Sequence, residues 1–175
     1  EVSPAVMRKF LELEAQQNEL DATVWAKELL AEKHEQVFIR LWDELRANPE
    51  PFSVLAGFSF GELGLPTASA TSQHDAGVKL TQFKVGGQKL TPEGWRQLLV
   101  KLGQQGWRLE QTEWRQPQFD LGDDCSARSV IAFKANALLP DSRAAVSLKG
   151  TLRVAWDKLA GANSAPFPRW LEVAE

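Results

Sequence analysis

The chain has 175 residues, of which 43% are hydrophobic and 25% charged, and its net charge is −3. One domain of that size buries roughly 70% of the surface its unfolded chain exposes. The apolar fraction excludes wholesale disorder, and the mixed, slightly acidic charge lacks the basic stripe that nucleic acid requires. No apolar run approaches the ~20 residues that cross a bilayer, so no membrane span is expected.

Ser3 followed by Pro4 reads as a helix start, because Ser caps a free N–H and Pro at the first helical position loses nothing. No Gly or Pro follows until Ala47. Apolar residues at Val6, Phe10, Leu13, Leu20 and Val24, then at Leu30, Val37, Phe38, Leu41, Trp42 and Leu45, step by threes and fours along one face. A single helix of that length would reach about 65 Å at 1.5 Å per residue. The polar stretch Gln16 to Asp21 interrupts the stripe, and Asp21 has the chemistry of a cap. The reading is therefore two helical stretches, 4–19 and 22–47, ended by Asn48-Pro49-Glu50-Pro51.

Phe58 to Leu65 reads as a first strand, and the Ser-, Thr- and Ala-rich Pro66 to Gly77 as a surface loop. Val78 to Val85 reads as a strand stopped by Gly86-Gly87. Thr91, Pro92 and Glu93 then start a helix at about 92–105, whose apolar face is Trp95, Leu98, Leu99 and Leu102. Gly103 and Gly106 are candidates for its left-handed end.

Beyond Gly106 the period becomes two. Trp107 to Phe119 is strand-like, with a slip near Gln111–Glu113 that suggests a bulge. Ser129, Ile131, Phe133, Ala135, Ala137 and Leu139 share one face of the next strand, and Val146, Leu148, Gly150, Leu152, Val154 and Trp156 one face of another. Such runs suit antiparallel strands with one buried face. Asp120 to Ser126 and Pro140 to Arg143 are the turns between them, and Phe167 to Val173 reads as an edge strand. The expected architecture is one α+β domain over 1–175, with a helical segment at 1–47 and a mainly antiparallel sheet over 58–175. It is similar in layout to NTF2-like and cystatin-like cones, in which a curved sheet wraps a long helix.

Groups suited to catalysis are sparse. His34 sits among Glu32, Lys33 and Glu35 and reads as part of a solvated helix face, with no second His four residues on. His74 next to Asp75 is a bare His–Asp pair in the Ser-rich loop. Cys125, the sole cysteine, follows Asp123 and Asp124, which raise a thiol pKa instead of activating it, and it rules out an intrachain disulfide. Asp120, Asp123 and Asp124 offer oxygen ligands, but their spacing misses the twelve-residue calcium loop and Asp is already favoured in turns. Neither the dinucleotide fingerprint nor the P-loop is present. No catalytic residue, metal ligand or cofactor is assigned. Glu110 and Glu113 are the strand carboxylates that an enzyme of this fold would use.

Seven Trp and no Tyr is an unusual balance. Core filling is the plain reading; the alternative is an aromatic-lined small-molecule or carbohydrate pocket at the mouth of a cone, built from Trp107, Trp114 and Trp156 with Arg108 and Arg128 as polar contacts. Trp170 and Arg115 are further candidates.

Residues 12–34, ELEAQQNELDATVWAKELLAEKH, followed by FIRLWDEL at 38–45 and GWRLEQTEWR at 106–115, resemble the N-terminal region of bacterial exported proteins that carry FG-GAP (VCBS-type) propeller repeats and an ASPIC/UnbV module. The resemblance covers most of the chain, rests on structural motifs and transfers no active-site residue. It implies a periplasmic or cell-surface setting and a non-catalytic interaction or scaffolding role beside neighbouring domains of the same polypeptide. The start at Glu1 without methionine and the end at Glu175 fit a domain excised from such a protein. The long helix would offer its apolar stripe to a partner or to a second copy as a homo-oligomer.

Overall fold

The computed structural model describes residues 4–74, 77–139, 144–161 and 163–174, with residues 4–6 and 10 described for their backbone alone. Helix α1 runs unbroken over Pro4–Ala47. Two helices were expected and one is found, because Gln16 to Asp21 contain good helix formers and neither Gly nor Pro. The apolar stripe lapses there because nothing packs against it: every described side chain from Met7 to Leu29 is exposed. Ser3, the expected cap, lies outside the described residues. Burial begins further on, at His34, Phe38, Leu41 and Leu45. Those four step by four, three and four along one line, which holds α1 to the sheet.

After the expected stop at 48–50 comes a helix that periodicity did not announce, α2 (Pro51–Gly57). Seven residues do not hold a helix by themselves. Its last carbonyls are met from across the fold by the Trp95 indole N–H (3.0 Å to the Leu55 oxygen) and the Arg96 Nε (3.3 Å to that of Ala56).

Of the strand expected over 58–65, only β1 (Glu62–Gly64) is paired. Strands β2 (Thr67–Gln73) and β3 (Lys79–Lys84) form a separate two-stranded hairpin, so most of the expected loop over 66–77 is a strand. Its residues are nearly all exposed on both faces, so there is no burial to impose an alternating pattern. Strand β4 (Lys89–Leu90) leads into α3 (Pro92–Gln104), which starts as expected: the Thr91 hydroxyl accepts the Gly94 N–H at 3.2 Å. Gly106, at φ +86, supplies the left-handed turn after α3, while Gly103 stays inside the helix.

Strands β5 (Arg108–Leu121), β6 (Ala127–Leu139) and β7 (Ala144–Trp156) form an antiparallel meander, and β8 (Pro168–Ala174) completes the main sheet. Its order is β4-β1-β8-β7-β6-β5, antiparallel except for the β1–β8 pair. Strand β8 therefore lies inside the sheet and not at its edge. What admits β1 beside it is Gly61, whose N–H donates to the Pro168 oxygen at 3.0 Å. A Cβ at Gly61 would stand 2.1 Å from the Arg169 oxygen. Of the two edges, β4 and β5, the long one, β5, slips register at Leu109/Gln111, next to the expected bulge, and again at Arg115/Gln118, where it carries Pro117. The expected turn at 140–143 lies outside the described residues.

The long helix packs on one face of this mainly antiparallel sheet. Phe38, Leu41 and Leu45 meet Ile131, Leu152, Val154, Trp156 and Leu171 to form the core. Among the described residues no strand pairing closes the sheet into a barrel.

Candidate functional site

The helices do not fill the whole face they cover. A cavity of about 740 Å³ remains between α1, α2 and α3 on one side and the sheet on the other. Helix α1 contributes Phe38 and Leu41, and the α2–β1 stretch contributes Leu55, Phe58, Phe60 and Leu63. Trp95 and Leu102 come from α3, Trp114 from β5, Phe133 from β6, and Leu171 and Val173 from β8. Gly150 belongs to the wall as well, and a Cβ there would sit 3.2 Å from the Phe133 ring. The absence of a side chain at Gly150 lets Phe133 lie across the neighbouring strand.

Rings dominate one side. Phe38 stacks on Trp114 at 6.0 Å and 27°, Trp114 on Phe133 at 5.7 Å and 27°, and Phe58 on Phe60 at 6.4 Å and 29°. Such offset stacks leave π-faces and edges toward the space. The polar lining comes chiefly from the β2–β3 hairpin, as Ser69, Thr81 and Gln82, with Lys149 the one charged lining residue among those described. Phe83 and Leu148, 39% and 45% exposed, mark the rim. The hairpin thus overhangs the mouth of an otherwise apolar chamber.

Of the residues expected to form a pocket, only Trp114 reaches this one. Trp156 is buried beneath α1, its ring 4.9 Å from that of His34, and its N–H is spent on the Ser129 hydroxyl at 2.8 Å. Trp107 is half-buried just ahead of β5, away from the lining. Arg108 and Arg128 are exposed on the other face of their strands, next in chain to the inward Leu109 and to the buried Ala127 and Ser129. Trp170 and Arg115 also lie outside the lining. The residues that do form the chamber, Trp95, Phe58, Phe60 and Phe83 among them, come from segments where sequence shows an apolar residue but not the space beside it.

The titratable candidates lie elsewhere. His34 is not solvated but 2% exposed, wedged between Phe119 (5.0 Å) and Trp156 (4.9 Å). Its Nδ1 donates to the Leu30 carbonyl at 2.6 Å, which leaves Nε2 as an acceptor without a partner among the described residues. Burial pushes its pKa below the ordinary histidine value; the Leu30 bond opposes this and the Lys33 charge adds to it. Glu113 is engaged by Arg115 and by Lys134 (3.3 Å), bonds that hold its carboxyl below the usual range. Glu110 is exposed. Asp124 serves its turn, accepting the Ser126 N–H at 3.1 Å, and its pKa is lowered by hydrogen bonding from the Ser126 side chain first and from that N–H second. Cys125 is exposed in the same turn at φ +61. His74 is described but Asp75 is not, so that pair lies outside the described residues. Among the described residues no group of three His, Cys, Asp or Glu is placed to hold a metal, which leaves the calcium reading of Asp120, Asp123 and Asp124 without support. No described helix is long and apolar enough to cross a membrane.

No protein-family model matches the chain, and no curated protein matches it significantly. Among solved structures, Aln2 from a Streptomyces species is similar at 13% identity with a TM-score of 0.42, over 87% of this chain and 91% of that one. A likeness that loose bears on neither the ancestry nor the activity of this chain.

Proposed function

We propose that the domain binds a bulky, neutral, apolar small molecule in the chamber between its helices and its sheet, without catalysing a reaction on it. The chamber carries this reading. Its wall is mostly Phe, Leu, Trp and Val, and it opens to solvent past Phe83 and Leu148, so an apolar molecule has both a way in and apolar surface to bury. Water is a poor filler, because each buried molecule needs about 2–4 polar partners and the wall offers them only near the hairpin. An apolar ligand loses nothing against Phe, Leu and Trp, and about 740 Å³ lies within the ~300–1,000 Å³ of ligand pockets. No Asp, Glu or His lines it among the described residues, which supports binding over acid–base chemistry.

Titration with the neutral probe N-phenyl-1-naphthylamine tests this, with Val173→Phe as a variant that narrows the chamber from its sheet wall. Saturating ligand at about 100 times its Kd adds roughly 2.7 kcal/mol, read as a rise in Tm of about 5–10 °C. Binding that weakens in Val173→Phe while the fold is retained supports the reading. No binding by a broad panel of neutral apolar compounds overturns it.

A second reading is favoured by a separate observation, the exposed half of α1 from Met7 to Leu29. A helix that leaves the body suits an interaction or scaffolding module, joined to neighbouring domains of an exported bacterial protein or to another copy of itself. The gene tests that setting: a leader before Glu1 and propeller repeats after Glu175 support it, and a gene encoding neither overturns it.

A further inference from the structure

We infer that the molecule held in the chamber ends in one uncharged hydrogen-bonding group, a hydroxyl or an amide, which the β2–β3 hairpin receives at the Thr81 hydroxyl. The inference rests on the apolar-ligand reading of the chamber and deepens it by naming the ligand's other end.

The wall is divided by chemistry. The helices and the main sheet line it with Phe, Leu and Trp, whereas its hydroxyls and its amide come from the hairpin, as Ser69, Thr81 and Gln82. Thr81 marks the face of the hairpin that meets the chamber, being half-buried where the rest of β3 is exposed. Phe83, two residues on and therefore on the same face, lines the chamber as well. Thr71 pairs with Thr81 across the hairpin and shares that face, their hydroxyls 3.4 Å apart. A hydroxyl offers one donor and two lone pairs, so this contact leaves Thr81 capacity for another partner. Ser69, the extra residue where the ladder slips between Ala68 and Ala70, belongs to the same stretch of wall.

Charge narrows what that partner is. An anionic end would need a cation, and the Lys149 side chain does not supply one. Leu152, Val154 and Trp156 of β7 are buried in the core, so by the period of two Lys149 lies on the opposite face of the strand. It is exposed there and paired in register with Lys134, whose own charge is engaged by Glu113. A cationic end would need a carboxylate, and no Asp or Glu lines the chamber among the described residues. Either ion would give up its hydration without compensation. A wholly apolar filler would in turn strip water from the Thr81 hydroxyl and put nothing in its place. A neutral hydrogen-bonding group avoids both losses.

The test is displacement of N-phenyl-1-naphthylamine near neutral pH by three molecules built on one body: biphenyl, 4-phenylphenol and biphenyl-4-carboxylate. Each is measured on the native chain and on Thr81→Val, which keeps the branched side chain and removes its hydroxyl. A bare apolar wall binds the phenol more weakly than the hydrocarbon, because the phenol's hydroxyl then loses water for nothing. The expected result is the reverse: 4-phenylphenol binds the native chain at least as tightly as biphenyl and about 10-fold more tightly than the carboxylate. Thr81→Val weakens 4-phenylphenol by about 5-fold and leaves biphenyl within about 2-fold. An unchanged melt shows that the variant is folded. A phenol bound more weakly than biphenyl by the native chain, or a Thr81→Val variant that treats the two alike, overturns the inference while biphenyl binding leaves the apolar-ligand reading standing. A carboxylate bound as tightly as the phenol overturns the uncharged end. A chain that binds neither the probe nor any of the three overturns the inference, and the apolar-ligand reading falls with it only if the broad panel fails too.

Discussion

Replacing Phe38 by alanine tests whether α1 is held by the buried line of residues that meets the sheet. Phe38 is 2% exposed and touches Phe58 at 5.7 Å and Trp114 and Trp156 at 6.0 Å each. Burial of such a side chain contributes roughly 1.5–3 kcal/mol, and each aromatic contact about 0.5–1.5 kcal/mol beyond it. Core Phe→Ala changes cost about 3–5 kcal/mol when the void is sealed. Phe38 already borders the chamber, so the new space joins an existing one, and the expected loss is about 3–4 kcal/mol, at the lower end of that range. Urea unfolding followed by tryptophan fluorescence measures it, as a lowered midpoint at unchanged m and a fall in Tm of roughly 10 °C. Leu29→Ala, on the exposed side of the same helix, costs less than about 0.5 kcal/mol. A loss at Phe38 below about 1.5 kcal/mol would refute the reasoning, since α1 would then be anchored by something other than its buried line of His34, Phe38, Leu41 and Leu45.

Three further outcomes follow from single contacts. His34 has a lowered pKa in the folded chain, so the unfolded chain binds more protons and stability is complete above the ordinary value of 6.5 and declines as pH falls below it. Urea midpoints at pH 7.5 and pH 5.5 should differ in the native chain, and His34→Leu should reduce the difference; an equal slope in both would remove His34 as its source. Gly61→Ala drives a Cβ to 2.1 Å from the Arg169 oxygen and forces β1 from β8, at a cost of at least about 2 kcal/mol; a melt unchanged from the native chain would contradict that geometry. Ser129→Ala leaves the buried Trp156 N–H unpaired and costs about 1–3 kcal/mol by chemical denaturation, whereas a neutral effect would mean that the indole finds another acceptor.

What sequence revealed of the fold depended on whether one face of an element is buried and the other wet. Helix α3 has the Thr91 cap, Pro92 and a one-sided apolar face, and its residues name it without help. The alternations over 129–139 and 146–156 likewise became β6 and β7 because α1 covers part of one face. The hairpin β2–β3 is wet on both faces, so it carries no period to read. Helix α2 depends on donors from Trp95 and Arg96, forty residues away. His34 was hidden by its charged neighbours Glu32, Lys33 and Glu35, although the four-three-four spacing to Phe38, Leu41 and Leu45 places it on the buried line.

The chamber was illegible for a different reason. Periodicity reports which side of an element avoids water, but not how far the opposing layer stands. Phe38, Leu63, Trp95, Trp114, Phe133 and Leu171 would be just as apolar had α1 and α3 settled fully onto the sheet. The separation arises from bulk and register together. The Phe38–Trp114–Phe133 row is three rings wide where aliphatic side chains would let the layers close, and the slip at Leu109/Gln111 sets the phase that turns Trp114 inward. Trp107, ahead of that slip, shares the side of the inward Leu109 but lies before the start of β5 and stays outside the lining, though in composition the two tryptophans are equivalent. A tryptophan count therefore suggests a pocket, but the bulge and the place along the strand together decide which tryptophan enters it.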